Sequence, residues 1–378
     1  MTRRARALPL LVAAALLVPA ASASADFTPA QEAQMQQAVD AYAPAVGYPG
    51  LVAGVWQKDV GSFVGATGVA NLATGRPMGT GNAHHRIGSV TKTMTATLVL
   101  QLAGRGRLHL QEPVGQYVDG VPKGGAITIR MLLNHTSGIH NFTFWENHKI
   151  ARQPHRNWRP EQLIRRALAA PRYCRPGACF VYSNTNYLLL GEILREVTGR
   201  RLRTLYERRI WDRLGMGDTS FRPRRPTPEP AVHGYFGSAE GPKDVTDWNF
   251  SWAWSAGGAS STLADLRRWA SALATGRGIL GARMQRKRLR TVPMPETTGD
   301  GYGLGILKTP GGPFGDFYGH DGETPGYDTI VLHSPSADLT VAAMGNTSAG
   351  TDPVRPTPLS GQELDELAAE LLQIVAAS

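Results

Sequence analysis

Gly88-Ser89-Val90-Thr91-Lys92-Thr93-Met94-Thr95-Ala96-Thr97-Leu98 joins a serine, a lysine three positions on and the start of an apolar periodicity. Met94, Leu98 and Leu102 fall at helical spacing, and Gly104 and Gly106 end the pattern, so a helix is expected over Val90 to Arg105 with Ser89 at its N-terminus. Three positions on a helix is nearly one turn, which puts Lys92 on the same face as Ser89, within reach of its hydroxyl proton. The unpaired N–H groups and positive dipole end of a helix N-terminus favour the developing alkoxide and can bind an oxyanion. Taken alone the pair is weak. With 18 serines and 7 lysines in 378 residues, about 0.3 such pairs arise by chance, and a lone serine there would serve as a plain N-cap.

Two further motifs follow in order, Tyr182-Ser183-Asn184 and His320-Asp321-Gly322. Around them stand Leu132-Leu133-Asn134-His135-Thr136-Ser137-Gly138, Trp252-Ala253-Trp254-Ser255-Ala256-Gly257-Gly258 and Gly301-Tyr302-Gly303-Leu304-Gly305. In this combination the chain resembles the serine β-lactamase and penicillin-binding protein family. The likeness is greatest to the class C β-lactamases and the secreted D-alanyl-D-alanine carboxypeptidases, which carry Ser-x-x-Lys, Tyr-x-Asn and Lys-Thr-Gly or His-Thr-Gly. It covers nearly all of the mature chain.

The resemblance implies an α+β fold: an antiparallel sheet flanked by N- and C-terminal helices, with an all-helical lobe across a cleft. It implies Ser89 as nucleophile and Lys92 as base, or as the cation that lowers the base's pKa. Tyr182 would share protons with the nucleophile and leaving group, and a neighbouring ammonium would favour its phenolate. Asn184 would hold the substrate's acyl amide, and His320 would bridge Tyr182 and the substrate. The backbone N–H groups of Ser89 and Glu323 would form the oxyanion hole, with Gly322 beside them, and Trp252, or Trp254 two residues on, would wall the pocket. The departure from the pattern is at Asp321 and Glu323, where the carboxypeptidases present hydroxyls to a terminal carboxylate. Two carboxylates on one strand face would repel an anionic C-terminus. The Gly-x-Ser-x-Gly signature of α/β-hydrolases is absent around Ser89.

Composition bounds the rest. Arg3, Arg4 and Arg6, an apolar run from Ala7 to Ala20 and Ala-x-Ala sites ending at Ala23 and Ala25 read as a signal peptide over 1–25. Export is therefore expected, to a secreted or wall-associated location with no membrane anchor. Cys174 and Cys179 are the only cysteines, and an exported chain favours a local disulfide around Pro176-Gly177, fixing the turn that delivers Tyr182. The net charge of +10 suits adhesion to anionic polymers of a cell wall, whereas nucleic acid is not expected as a partner, for want of a basic stripe with interleaved aromatics. The one dense basic run, Arg283 to Arg290, reads as a solvated helix face. No histidine shows metal-ligand spacing with acidic partners, and no metal or cofactor is assigned.

Strand patterns at Leu51–Trp56, Ser62–Val69 and His84–Ile87 precede a mainly helical middle with segments at Glu161–Ala170, Tyr187–Thr198 and Leu202–Leu214. Strands return at Gly303–Leu307, Phe317–Gly319, Asp328–His333 and Leu339–Met344, and Glu363–Val375 closes the chain as an amphipathic helix after Gln31–Tyr42 opened it. The division expected is a discontinuous sheet lobe of 26–95 and 250–378 and a helical lobe of 96–249. The activity expected is that of an exported, monomeric serine hydrolase acting through a Ser89 acyl-enzyme, first as a D-alanyl-D-alanine carboxypeptidase on peptidoglycan stem peptides, with β-lactams as acylating ligands. An esterase or D-amino-acid amidase on small ester or amide substrates is the alternative, then a β-lactamase. A catalytically silent wall-binding or β-lactam-sensing module is the alternative of another class.

Overall fold

A computed structural model describes residues 26–236, 241–295, 297, 299–348 and 363–377; the signal-peptide segment 1–25 lies outside the described residues. Nine antiparallel strands form the main sheet. They are β1 (Gly50–Gln57), β2 (Gly61–Asn71), β3 (Arg76–Pro77), β4 (Val292–Pro293), β5 (Gly301–Tyr302), β6 (Leu307–Pro310), β7 (Asp316–Thr324), β8 (Tyr327–Ser334) and β9 (Leu339–Gly345). Their order across the sheet is β3-β2-β1-β9-β8-β7-β6-β5-β4. The first and last long strands are thus neighbours, with Leu51 opposite Gly345 and Gln57 opposite Leu339.

The central strands are buried on both faces, which is why they read as near-continuous apolar runs rather than strict alternations. On one face, α1 (Pro29–Ala45) and α7 (Glu363–Ala376) bury Met35, Val39, Leu364 and Leu371 against Leu51, Val55, Ile330 and Val341. Each such side chain contributes about 1.5–3 kcal/mol. The start of α1 is set by Thr28, whose hydroxyl accepts from the Gln31 N–H while the Gln31 side chain accepts from the Thr28 N–H. On the other face, Val52, Val331, Ala342 and Met344 meet the core around α2 (Val90–Gly104) and the later α6 (Leu263–Thr275).

The helix α2 is buried from Val90 to Gln101 although four of its residues are threonines. Their hydroxyls are satisfied internally. Thr93 and Thr97 donate to the Val90 and Thr93 carbonyls at 2.6 and 2.7 Å, Thr95 donates to the Ser255 carbonyl at 2.7 Å, and the Trp269 indole donates to Thr93 at 2.8 Å. Next to α2 pack α4 (Asn184–Thr198) and the one-turn α5 (Trp254–Gly257), and α3 (Pro160–Ala169) packs on α4. The expected Leu202–Leu214 segment is helical but passes through a π-turn at Glu207–Trp211.

Two sequence expectations change. Gly303–Leu307 is not one strand: β5 ends at Tyr302, β6 begins at Leu307, and Gly305 at φ +71 turns the chain between them. The Arg283–Arg290 run is not wholly a solvated face. Arg288 is fully buried and donates to the Leu273 carbonyl and the Thr97 hydroxyl, because the helix Ala282–Arg288 turns this position onto α2. Among the described residues no helix is long and apolar enough to cross a membrane.

Candidate active site

Ser89 stands at the first turn of α2, and its hydroxyl makes no capping bond to the helix. It faces Lys92 instead. The Lys92 Nζ lies 2.7 Å from the Ser89 Oγ and donates to the Ala256 carbonyl on α5 at 2.8 Å. Lys92 has no exposed surface, and burial lowers its pKa from 10.5 to about 7, against the opposing pull of the Asp321 carboxylate. Near neutrality a large share of Lys92 is therefore neutral amine, with a lone pair for the serine proton.

Strand β7 meets the Ser89 turn backbone to backbone. Gly88 takes φ +45, and a Cβ there would lie 2.7 Å from the Glu323 nitrogen. A Cβ on Gly322 would lie 2.2 Å from the Ile87 carbonyl oxygen and 3.1 Å from the Ser89 nitrogen. Glycine at both positions lets the N–H groups of Ser89 and Glu323 come together over the helix N-terminus.

Tyr182 completes the centre. Its hydroxyl shares a hydrogen bond with Ser89, and the Lys92 Nζ sits 4.9 Å from its ring centroid. The phenolate expectation is corrected here. Burial, reinforced by the Asp321 charge, pushes the Tyr182 phenol well above 10, and the Ser89 hydrogen bond does not offset this. Tyr182 is a neutral phenol beside a partly neutral amine.

The position of Tyr182 is built by local chemistry. Cys174 and Cys179 are joined, and the loop they close hangs on the 135–138 segment through Tyr173 N–H to the Gly138 carbonyl at 3.0 Å and Gly177 N–H to the Thr136 carbonyl at 2.7 Å. The Val181 N–H then donates to the His135 carbonyl at 3.0 Å. His135, in the left-handed region at φ 59, lays its ring 4.3 Å from that of Tyr182 and accepts from the Ser183 N–H through Nδ1 at 3.1 Å. Burial, then the Lys92 and His320 charges, lower the His135 pKa well below 6.5, so this ring is neutral packing behind the tyrosine. Asn184 opens α4, its amide donating to the Thr143 hydroxyl at 3.3 Å and its N–H to the Asn141 carbonyl oxygen of the side chain at 3.1 Å.

His320 lies on β7 with its ring centroid 6.3 Å from that of Tyr182. Its Nε2 pairs with the Tyr302 hydroxyl at 2.8 Å, and its Nδ1 with the Asp321 carbonyl oxygen at 2.6 Å and carboxylate at 3.2 Å. Both Asp321 oxygens are acceptors, so Nδ1 carries a proton. Tyr302 is a site residue that the sequence reading quoted only as part of a glycine-rich segment. Burial works to raise the Asp321 carboxyl, but the His320 hydrogen bond and charge, with Lys92 adding to them, outweigh it and hold the pKa below 3.8. The Asp321 side chain is about a third exposed, and Glu323 shares its face of β7. Two acidic side chains therefore lie on that face of β7. Trp252 is buried against Phe250, with ring centroids 6.1 Å apart, while Trp254 is half-buried beside an outer groove.

A family model described as Beta-lactamase matches residues 34–363. PbpX of Bacillus subtilis, described as a penicillin-binding protein, is 30% identical over 263 residues, which cover 69% of this chain and 61% of that protein. The chain thus spans less than two thirds of that relative's length. Among solved structures, a D-stereospecific amidohydrolase from Streptomyces sp. superimposes with TM-score 0.76 at 33% identity, covering 85% of this chain and 97% of the other. The D-amino acid amidase of Ochrobactrum anthropi SV3 superimposes with TM-score 0.80 at 25% identity, covering 92% and 99%.

Proposed function

The chain belongs to the β-lactamase and penicillin-binding protein family and is a serine hydrolase; on that premise we propose that it cleaves amides of D-amino acids through an acyl-enzyme on Ser89. Lys92 as neutral amine takes the Ser89 proton as Oγ attacks the carbonyl carbon. The tetrahedral oxyanion is held by the Ser89 and Glu323 N–H groups. The Tyr182 phenol gives its proton to the leaving nitrogen as the C–N bond breaks, and the Lys92 ammonium restores it. Water then attacks the ester carbonyl, Lys92 accepting its proton and passing it to the Ser89 Oγ as the C–Oγ bond breaks, and the carboxylic acid leaves. Asn184 orients the acyl part, His320 steadied by Tyr302 lines the leaving-group side, and Trp252 supports the wall.

The observation that carries the substrate class is the ionised, partly exposed Asp321 on the same face of β7 as Glu323. A like-charge pair ~5 Å apart at an effective dielectric near 20 costs about 3 kcal/mol, roughly a hundredfold in kcat/KM. Substrates without a terminal carboxylate escape this. The likeness to the amidohydrolase and the amidase supports the D preference. The test measures kcat/KM on D-phenylalanine amide, its L enantiomer, a neutral chromogenic ester, a D-Ala-D-Ala peptide and a chromogenic cephalosporin. A D-amide rate above the D-Ala-D-Ala rate is expected; the reverse order would overturn the amidase reading. The likeness to PbpX favours the second reading, a D-alanyl-D-alanine carboxypeptidase on stem peptides that β-lactams acylate. Export is proposed from the 1–25 segment and accords with the joined cysteines.

A further inference from the structure

On the far side of α5 from Ala256, Trp254 borders an open groove of about 1110 Å³ between the start of α3, the end of α4 and the proline-rich stretch after Phe221. Its rim carries Arg159, Arg165, Arg201, Arg222, Arg224 and Arg225, all exposed and, among the described residues, without an ion pair. Two further arginines there are already neutralised, Arg195 by Glu161 and Glu192 at 3.2 and 3.0 Å and Arg203 by Glu207 at 2.7 Å. Among the described residues Glu161 is the only carboxylate lining the groove, and it belongs to one of these pairs. Six unpaired guanidinium groups from three separate segments converge on one channel with no charge of their own to answer them.

We propose that this groove is a binding site for a phosphate-bearing polyanion that lacks bases, such as a polyol-phosphate chain. Arginine's planar fork matches phosphate oxygens two at a time, and a row of such groups follows a repeating anion better than a single ion. A nucleic acid is disfavoured because, of the aromatic residues lining the groove, Trp158 and Phe221 are buried and half-buried Trp254 carries Arg195 over its ring. Trp158 is buried with Arg156 4.1 Å and Arg166 5.9 Å from its ring centroid, and Arg195 stands 6.0 Å from that of Trp254. The groove is separate from the hydrolytic centre, so its occupant anchors the enzyme without entering the cleft.

The test titrates long-chain inorganic polyphosphate, and separately single-stranded DNA of matched charge, against the intact protein between about 50 and 200 mM salt. Wild type should bind polyphosphate with a steep salt dependence. Arg222→Gln/Arg224→Gln/Arg225→Gln should weaken binding about tenfold or more and flatten the slope of log Kd against log salt by about 2. Hydrolysis of a small neutral ester should be unchanged in that variant, which reports that it folds. The charge-matched control, Arg283→Gln/Arg286→Gln/Arg290→Gln, lies outside the groove and should bind as wild type. Equal weakening in both variants would reduce the effect to net charge and overturn the site. Tighter binding of DNA than of polyphosphate would overturn the choice of occupant.

Discussion

Replacing Gly322 by alanine puts a methyl carbon 2.2 Å from the Ile87 carbonyl oxygen. A carbon and a carbonyl oxygen settle no closer than about 3.3 Å, so strand β7 and the Ser89 turn must part by roughly 1 Å. The two backbones that separate are those carrying the Ser89 and Glu323 N–H groups. Oxyanion donors act within about 2.7–3.1 Å of the oxygen, and losing one typically costs ~10²–10³ in kcat. The fold should suffer less, since overpacking a well-filled site costs about 1–3 kcal/mol. The expected result for Gly322→Ala is a fall of about a hundredfold or more in kcat on a neutral ester, with a cooperative melt a few degrees below wild type. The Ser89–Lys92 contact lies on α2 and should survive, so slow labelling by a fluorophosphonate should persist. Gly125→Ala is the control, because a Cβ there meets nothing within 4 Å. If Gly322→Ala keeps kcat within threefold of wild type, the oxyanion does not sit between these two amides.

Activity should rise with pH through about 7, as the buried Lys92 loses its proton and becomes a base. Asp321 holds Lys92 protonated, so Asp321→Asn should move the acid limb of the kcat/KM profile to lower pH by about one unit; a shift upward would contradict Lys92 as the base. Tyr302→Phe leaves the buried His320 Nε2 without its hydrogen-bond partner and should cost about 1–3 kcal/mol in denaturant unfolding, with a smaller loss of kcat than Ser89→Ala. Cys174→Ser/Cys179→Ser opens a six-residue loop, worth about 2 kcal/mol, and should raise KM and lower kcat together because Tyr182 hangs on that loop; activity unaffected by reduction would detach the loop from the site.

What the sequence made legible is what local geometry dictates. Ser89 and Lys92 meet because three positions make nearly a helical turn, and Cys174 and Cys179 because the four residues between them, with proline and glycine at the centre, turn the chain back. Tyr302 and His320 were not legible as partners, since they meet only after β5, β6 and β7 lie side by side in the sheet. The sign of the Tyr182 shift was also beyond the sequence. A nearby ammonium argues for phenolate, but burial and the Asp321 charge decide otherwise, and both depend on tertiary packing. The densest basic run in sequence lost Arg288 to the core, while the groove of unpaired arginines is assembled from three segments spread over about sixty-five residues of the chain. Apolar Leu304 and Ile306 read as strand, yet Gly305 at φ +71 breaks them.

The pairing of β1 with β9 has a consequence for how the molecule is made. Strand Gly50–Gln57 leaves the ribosome early, but one of its two edges stays open until Leu339–Gly345 has followed, about three quarters of the chain later. Contacts so distant in sequence close slowly, because loop entropy must be overcome before they contribute. Until then β1 and β2 can form only an isolated hairpin, which is marginal in water. The sheet therefore cannot be completed until late in synthesis, and a truncation that removes β9 leaves a hydrophobic edge of β1 exposed.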